Sequence, residues 1–226
     1  MNIDEGLEPV GLPLSDGGSA GTPVHFGPAT AAEIGGIIEL LKLRPPCFWM
    51  TKISAADLRT FLRYALESPR SVIMLARPKG EELPAGYVFA IFDPKWFWIN
   101  FAFQNPGIMR SILFHRLMRR YEIRQEIRKN AREGVSTARF PEFSWSPGHR
   151  GIARILGLYV RKEHRRKGIA MDLYFKLFDV LREGGGFKVE EYMGPDYPQY
   201  AGRFPQVCGW QLEQCSSGGY KISKSL

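Results

Sequence analysis

Residues 155–182, which read ILGLYVRKEHRRKGIAMDLYFKLFDVLR, decide the fold. Residues 155–160 are almost wholly apolar, which is typical of a central strand covered on both faces. From residue 170 onward, polar side chains recur opposite a row of apolar ones, the pattern of an amphipathic helix. The polar positions are Asp172, Lys176, Asp179 and Arg182, and the apolar positions are Ala170, Leu173, Leu177 and Leu181. Three glycines at 184–186 end the predicted helix.

A basic turn, RRKGIA at residues 165–170, joins this strand to this helix. The first N–H groups of a helix have no intrahelical partner, and the helix dipole places partial positive charge beside them. Gly168 has no Cβ, so a ligand can approach its backbone closely. The turn therefore predicts an anion site suited to phosphate. A basic turn without a ligand is the alternative, whereas a dinucleotide fold is disfavoured because the three-glycine fingerprint and its acidic partner are missing.

The spacing of Val160, Arg165, Gly168 and Ala170 resembles the acyl-CoA signature of the GCN5-related N-acetyltransferase (GNAT) superfamily. In that family the signature follows an apolar strand and opens a helix, as it does here. A proline often stands two residues after the valine, and this chain has Lys162 there. The resemblance implies an α/β fold of the α+β type, with a mixed, mostly antiparallel central sheet flanked by helices.

The resemblance also implies acetyl-CoA, or another acyl-CoA, as cosubstrate, with no metal. The backbone of Leu158, Tyr159 and Val160 would pair with the pantetheine arm. The pyrophosphate would lie in a cradle formed by Arg166, Lys167, Gly168, Ile169, Ala170 and Met171. Arg165 and Lys167 would add positive charge.

The family's general acid does not transfer to this sequence. Many relatives place a tyrosine four residues before the Gly of a Gly-Phe pair, which Gly209-Trp210 resembles here. That position is Pro205, which has no proton to give. Tyr200 or Tyr197 could reach the sulfur instead, although a packed tyrosine with one hydrogen bond is the ordinary alternative for each.

The family's general base does not transfer either. Relatives often carry a glutamate six residues before the signature valine, where this chain has Arg154. A base would have to come from a water chain or from Glu190, Glu191, Asp196 or His149. Glu190 and Glu191 alternate across a predicted strand, so only one can face the cleft. A solvated or ion-paired carboxylate is the ordinary alternative for both.

The remaining elements come in the order expected of this fold. Strands are predicted at residues 24–26, 71–76, 85–92 and 187–192, helices at 31–43, 55–67 and 200–207, and a closing hairpin at 211–212 and 220–223. Thr30 with Glu33 predicts a capping box, and Ser54 predicts an N-cap.

Residues 94–147 form an insertion that the minimal fold does not need. It begins with aromatic residues at 96–103 and continues into a predicted helix at about 108–129, within a stretch from Arg110 to Arg132 that carries eight Arg or Lys residues against two Glu. A helix with a solvated basic face, a lid over the acceptor site, and a membrane-surface contact through residues 96–132 are all compatible with this composition.

Composition bounds the rest of the interpretation. The chain has 226 residues and a net charge of +8, although its first 30 residues hold four carboxylates and no Lys or Arg. We expect a flexible leader at 1–22 and one domain at 23–226.

The sequence also favours a location in the cytoplasm, or at the inner face of the membrane. It has three cysteines without metal-like spacing, and it shows no secretory signal or spanning segment. The positive field suits anionic ligands, but no nucleic-acid reader motif is present.

These observations lead to one functional hypothesis and two alternatives. The hypothesis is an N-acetyltransferase that transfers an acetyl group to a primary amine by direct attack in a ternary complex. The insertion resembles acetyltransferases of bacterial surface-polysaccharide pathways, which favours an amino sugar as acceptor. A protein or peptide amine acetyltransferase and a non-catalytic acyl-CoA-binding scaffold are the alternatives, and a homodimer is compatible with each.

Overall fold

The computed structural model describes residues 23–43, 50, 53–111, 113, 151–186, 188–193, 209–214 and 220–226. The strands are β1 (Val24–Pro28), β2 (Ser71–Pro78), β3 (Gly86–Phe92), β4 (Ile152–Val160), β5 (Lys188–Met193), β6 (Gln211–Gln214) and β7 (Tyr220–Ser225). The helices are α1 (Ile34–Lys42), α2 (Ala55–Glu67), α3 (Pro94–Gln104) and α4 (Ile169–Glu183), with 3-10 turns at Ala31–Glu33 and Lys162–His164.

The strands form one seven-stranded sheet in the order β1-β2-β3-β4-β5-β7-β6. The β4–β5 pair is parallel, and every other neighbouring pair in this sheet is antiparallel. Helix α4 makes the crossover between the two parallel strands, because parallel neighbours cannot be joined by a tight turn. The mixed, mostly antiparallel α/β fold predicted from the sequence is confirmed.

The predicted helix starts are confirmed as well. The backbone N–H of Thr30 donates to Glu33 Oε2 at 2.8 Å, as a capping box requires. The Ser54 side chain accepts from the Asp57 N–H at 3.1 Å and begins α2. The predicted inward face of α2 is the buried one, and it consists of Leu58, Phe61, Leu62 and Ala65.

Strand β4 contains a bulge that the sequence did not reveal. Its pairing with β3 shifts register between Phe89 and Ala90, which face Gly157 and Ile155 and leave Leu156 as the extra residue. A bulge bends its strand and increases the local twist. The parallel pairing with β5 reaches only from Ile152 to Ile155, so β4 turns away from β5 where the bulge begins.

The sheet has an apolar core on each face. Helices α1, α2 and α3 cover one face. They pack there on side chains of β2 and β3, which are Ile73, Leu75, Tyr87, Phe89 and Ile91. Helix α4 covers the other face, and its buried side chains are Ile169, Leu173, Tyr174, Leu177, Phe178 and Leu181. The apolar row predicted for this helix is confirmed at three of four positions. Ala170 is only partly buried, and Ile169 takes its inward place.

Helix α3 occupies residues for which the sequence predicted no regular element. Apolar residues lie all round this helix, so no helical period marked it. Phe97, Trp98 and Phe101 are buried beside Phe61, with the Phe61 and Phe101 rings 5.3 Å apart. The first part of the expected insertion is therefore a core helix.

Some predictions lie outside the described residues. They concern the leader at 1–22, the part of the insertion from residue 114 to residue 147, and the helix at 200–207. Within the described ranges, no helix is long and apolar enough to cross a membrane.

Candidate functional site

The candidate site begins where β4 and β5 part. Beyond Ile155, residues 156–160 of β4 run beside β3, whereas β5 continues beside β7 through Glu191, Tyr192 and Met193. No strand of the described residues lies along the outer side of β4 over 156–160. An extended ligand could lie there and pair with backbone groups, as an added strand would.

The β4–α4 loop, residues 161–168, lies at the open end of this split. It contains two residues in the left-handed region, Arg166 with φ 62° and Gly168 with φ 78°. A glycine adopts such a positive φ without the strain that a Cβ would bring. A Cβ built on Gly168 would meet only Asp172 Oδ2, at 4.0 Å, so the space beside this backbone is open.

The loop leads directly into the N-terminus of α4. The N–H groups of Met171 and Asp172 both donate to the Gly168 carbonyl, at 2.8 and 3.1 Å, and start the helix. The amides before them point out of the helix start, where the dipole adds partial positive charge. Arg165, Arg166, Lys167 and Gly168 are all exposed. Of the residues predicted to hold pyrophosphate, Arg166, Lys167 and Gly168 are therefore exposed together, whereas the Ile169 side chain is buried and Ala170 and Met171 are half-buried.

Arg165 is held against the end of β4. Its Nε donates to the Val160 carbonyl at 3.0 Å, and its guanidinium lies 5.8 Å from the Tyr159 ring centroid. This contact places a cation between the split strand and the loop. Leu158, Tyr159 and Val160, the residues predicted to meet the pantetheine arm, lie along the same side of the split.

Arg161, at the start of the loop, is held differently. Its Nη2 is paired with Glu81 Oε2 and lies 2.6 Å from His164 Nε2. Desolvation raises the pKa of the Glu81 carboxyl, but the contacts with Arg161 and His164 together hold that pKa below its usual range. Sequence reasoning missed this cluster, because Glu81 is distant in the chain and no spacing motif links it to Arg161.

The two candidate base residues on β5 have different partners. Glu190 is buried, and its carboxylate lies 3.8 Å from Arg154 Nη2 and 3.4 Å from Lys188 Nζ. Glu191 is buried on the opposite face, where it accepts from the Tyr174 hydroxyl at 2.6 Å. The expected alternation across the strand is present, and each carboxylate is engaged. The other acid and base candidates, Tyr197, Tyr200, Asp196 and His149, lie outside the described residues.

The sequence itself gives no match to a family model and no significant match to a curated protein. Solved structures do match. An acetyltransferase from Thermus thermophilus superposes with a TM-score of 0.53 and 13% identity, over 91% of this chain and 99% of that chain. A GNAT-family acetyltransferase from Staphylococcus aureus gives 0.52 and 12% identity, over 90% and 99% of the two chains.

The fold is that of the GNAT acetyltransferases. A third structure with this GNAT fold, an aminoglycoside antibiotic 6'-N-acetyltransferase from Acinetobacter baumannii, gives a TM-score of 0.51 with 12% identity, over 84% of this chain and 91% of that chain. Whole-length superposition at such low identity shows that the GNAT architecture is reached by a very different sequence. It assigns no substrate, since function resides in particular side chains.

Proposed function

We propose that the protein is an acetyl-CoA-dependent N-acetyltransferase that acts on a primary amine. One observation carries the proposal: the β4–β5 split opens onto a basic loop whose left-handed Gly168 starts a helix. The split offers backbone groups to an extended pantetheine arm, and the loop offers N–H groups and cations to a pyrophosphate. The two halves of the site match the two halves of an acyl-CoA.

Acyl transfer from a thioester needs only a few well-placed groups. The amine must lose a proton before it attacks, the carbonyl oxygen gains charge, and the leaving thiolate needs a proton. Leu158, Tyr159 and Val160 would orient the thioester along β4. In this proposal the acceptor amine attacks the thioester directly, and no acyl group is carried by the enzyme.

Glu190 is the proton acceptor that we propose. It lies between Arg154 Nη2, at 3.8 Å, and Lys188 Nζ, at 3.4 Å. A carboxylate beside the split can accept a proton through a water molecule. Tyr197 and Tyr200 remain the candidates for protonating the thiolate.

An amino sugar is the acceptor class that we propose to test first. The net charge of +8 disfavours a polyamine and suits an acceptor that carries phosphate. A protein that shares this fold is an aminoglycoside N-acetyltransferase, whose substrates carry amines on sugar rings. A protein or peptide amine is the next class to screen.

The direct test is a calorimetric titration of acetyl-CoA into the full chain. We expect micromolar binding, and loss of at least about tenfold in affinity for Gly168→Val, because the side chain would occupy the ligand's place and oppose a positive φ. Gly185 provides a matched control, since it has φ +77° and nothing within 4 Å but lies at the other end of α4. Equal binding by wild type and Gly168→Val would show that this loop is not the phosphate site.

A non-catalytic acyl-CoA-binding protein is the second candidate, and one observation favours it. Arg154 stands where relatives carry a glutamate, and both carboxylates described on β5 are engaged. Binding of acetyl-CoA without thiol release in the presence of amino sugars, peptides and simple amines would support this candidate. Thiol release with any of these amines would exclude it.

We also propose a membrane-surface contact through α3. Trp96 and Phe103 are 48% and 83% exposed on this helix, and Lys95 Nζ lies 5.7 Å from the Trp96 ring. Aromatic side chains beside cations are typical of interfacial helices. Co-sedimentation with anionic vesicles should fall when both aromatics are replaced by serine. Equal co-sedimentation of both proteins, or none by wild type, would contradict this contact.

A further inference from the structure

Three polar side chains form a cluster at the start of the β4–α4 loop. Glu81 comes from the turn between β2 and β3, and Arg161 and His164 come from the loop itself. His164 is 8% exposed, and the Arg161 side chain is 12% exposed. The backbone N–H of Arg161 also donates to the Ala85 carbonyl at 2.8 Å, on the same turn. We call Glu81, Arg161 and His164 the anchoring cluster.

The side chains of the anchoring cluster contact one another directly. Arg161 Nη2 is paired with Glu81 Oε2 and lies 2.6 Å from His164 Nε2, and His164 Nε2 lies 3.3 Å from Glu81 Oε2. The charge of Arg161 is thus taken up inside the protein, unlike the charges of Arg165, Arg166 and Lys167.

Beyond the anchoring cluster, the loop contains a residue in a strained backbone conformation. Arg166 has φ 62°, which is uncommon for a residue with a Cβ. Such conformations persist where the surrounding structure holds them. The His164 N–H donates to the Arg161 carbonyl at 3.0 Å, and the Arg165 N–H donates to the Lys162 carbonyl at 3.3 Å, so the first half of the loop is a hydrogen-bonded turn. The helix bonds to Gly168 hold the opposite end.

We propose that Glu81, Arg161 and His164 are positioning residues that hold the β4–α4 loop in its ligand-binding shape. This inference rests on the proposed function, because the ligand in question is the phosphate portion of CoA. None of the three needs to touch the ligand. Glu81 acts from a separate hairpin, through Arg161 and His164, on the loop that carries Arg166 and Gly168.

The Glu81→Gln variant distinguishes positioning of the loop from a general effect of charge on anion binding. Removing a negative charge near an anion site should strengthen anion binding if charge alone matters. Positioning predicts the opposite, because a neutral amide binds Arg161 less strongly than the carboxylate does and so frees the loop. We expect CoA to bind at least about tenfold more weakly to Glu81→Gln in calorimetric titrations of the full chain. Glu82→Gln is the matched control, since Glu82 is the exposed neighbour on the same turn, and its binding should be unchanged or slightly tighter.

Steady-state kinetics and two variants of His164 show whether the anchoring cluster positions the loop or only stabilises the fold. The KM for acetyl-CoA should rise in Glu81→Gln, while the KM for the amine and the kcat at saturating acetyl-CoA stay near wild type. His164→Gln keeps a side chain that can form hydrogen bonds and should retain most of the affinity for CoA, whereas His164→Leu should lose that affinity. If Glu81→Gln does not fold, this pair of His164 variants carries the test, with the circular dichroism spectrum as the check of folding.

The outcomes distinguish the inference from the proposed function. No CoA binding by wild type would remove the proposed function, and this inference with it. Binding by wild type that is weakened by Gly168→Val but not by Glu81→Gln or His164→Leu would overturn the anchoring role alone. Equal effects of Glu81→Gln and Glu82→Gln would also overturn it, because only general charge would then matter.

Discussion

At the scale of single residues, Arg77 holds the carboxylate of Glu33 by two contacts. Arg77 Nε lies 2.5 Å from Glu33 Oε1, and Arg77 Nη2 donates to Glu33 Oε2 at 2.8 Å. This two-point hydrogen bond from Arg77 lowers the pKa of Glu33 from 4.5 to about 2. The pair joins the start of α1 to β2, so a bond between side chains fixes a helix on the sheet.

Glu33→Gln should lower the free energy of unfolding by on the order of 2 kcal/mol at pH 7. The folded-state pKa is depressed, so this contribution is complete above the ordinary pKa of 4.5 and is lost as pH falls toward about 2. Urea unfolding of both proteins at pH 7 and at pH 3 measures the difference. A difference that stays constant or grows on acidification would contradict the assignment. Glu39→Gln is a suitable control, since its ion pair with Lys42 is exposed.

At the scale of elements, the site depends on close contact between β3 and β4. Gly86 pairs with Val160, and a Cβ built on Gly86 would lie 2.5 Å from the Tyr159 carbonyl oxygen and 3.2 Å from Val160 Cα. Both atoms belong to the β4 backbone, so no side chain can move aside to make room. The absence of a side chain at Gly86 thus sets where the ligand-facing end of β4 lies.

Gly86→Ala should destabilise the fold by about 1–3 kcal/mol, because β4 must shift to admit the methyl group. The same shift should weaken acetyl-CoA binding. Thermal unfolding and calorimetric titration measure the two effects. Gly35→Ala offers the opposite case, since nothing lies within 4 Å of that position in α1, and alanine there should stabilise the helix by up to about 1 kcal/mol. Equal stability changes for the two variants would contradict this account.

The elements differ in how far the sequence could predict them. Helix α2 shows a clear apolar period and a Ser54 cap, so its start and its buried face follow from local rules. Helix α3 shows no such period, because aromatic residues lie on its exposed side as well as on its buried side.

Some features of the candidate site could likewise be predicted from the sequence, and others could not. The turn around Gly168 is local and could be predicted from spacing. The bulge at Leu156, the engagement of Glu190 by Arg154 and the anchoring of Arg161 by Glu81 depend on which strands become neighbours. Such pairings are set by the packing of the whole sheet, and no short stretch of sequence encodes them.

At the scale of the whole molecule, charge should govern how ligands arrive. The net charge is +8, and the β4–α4 loop exposes Arg165, Arg166 and Lys167. Exposed charges are screened over about 3 Å in 1 M salt but over about 30 Å at 0.01 M. Affinity for acetyl-CoA should therefore fall several-fold as NaCl is raised from about 0.01 M to about 1 M. Calorimetric titrations of acetyl-CoA at several NaCl concentrations measure this change in affinity. Unchanged affinity would mean that backbone contacts dominate binding.

The parallel contact between β4 and β5 is the shortest junction in the middle of the sheet, with four residue pairs from Ile152 to Ile155. On one side lie β1 to β4, joined by extensive antiparallel ladders, and on the other lie β5, β7 and β6. The sheet therefore consists of two antiparallel parts joined by one short parallel contact. Amide protons of β5 should exchange with deuterium sooner than those of β3, and a ligand that fills the split should slow that exchange by bridging the two parts.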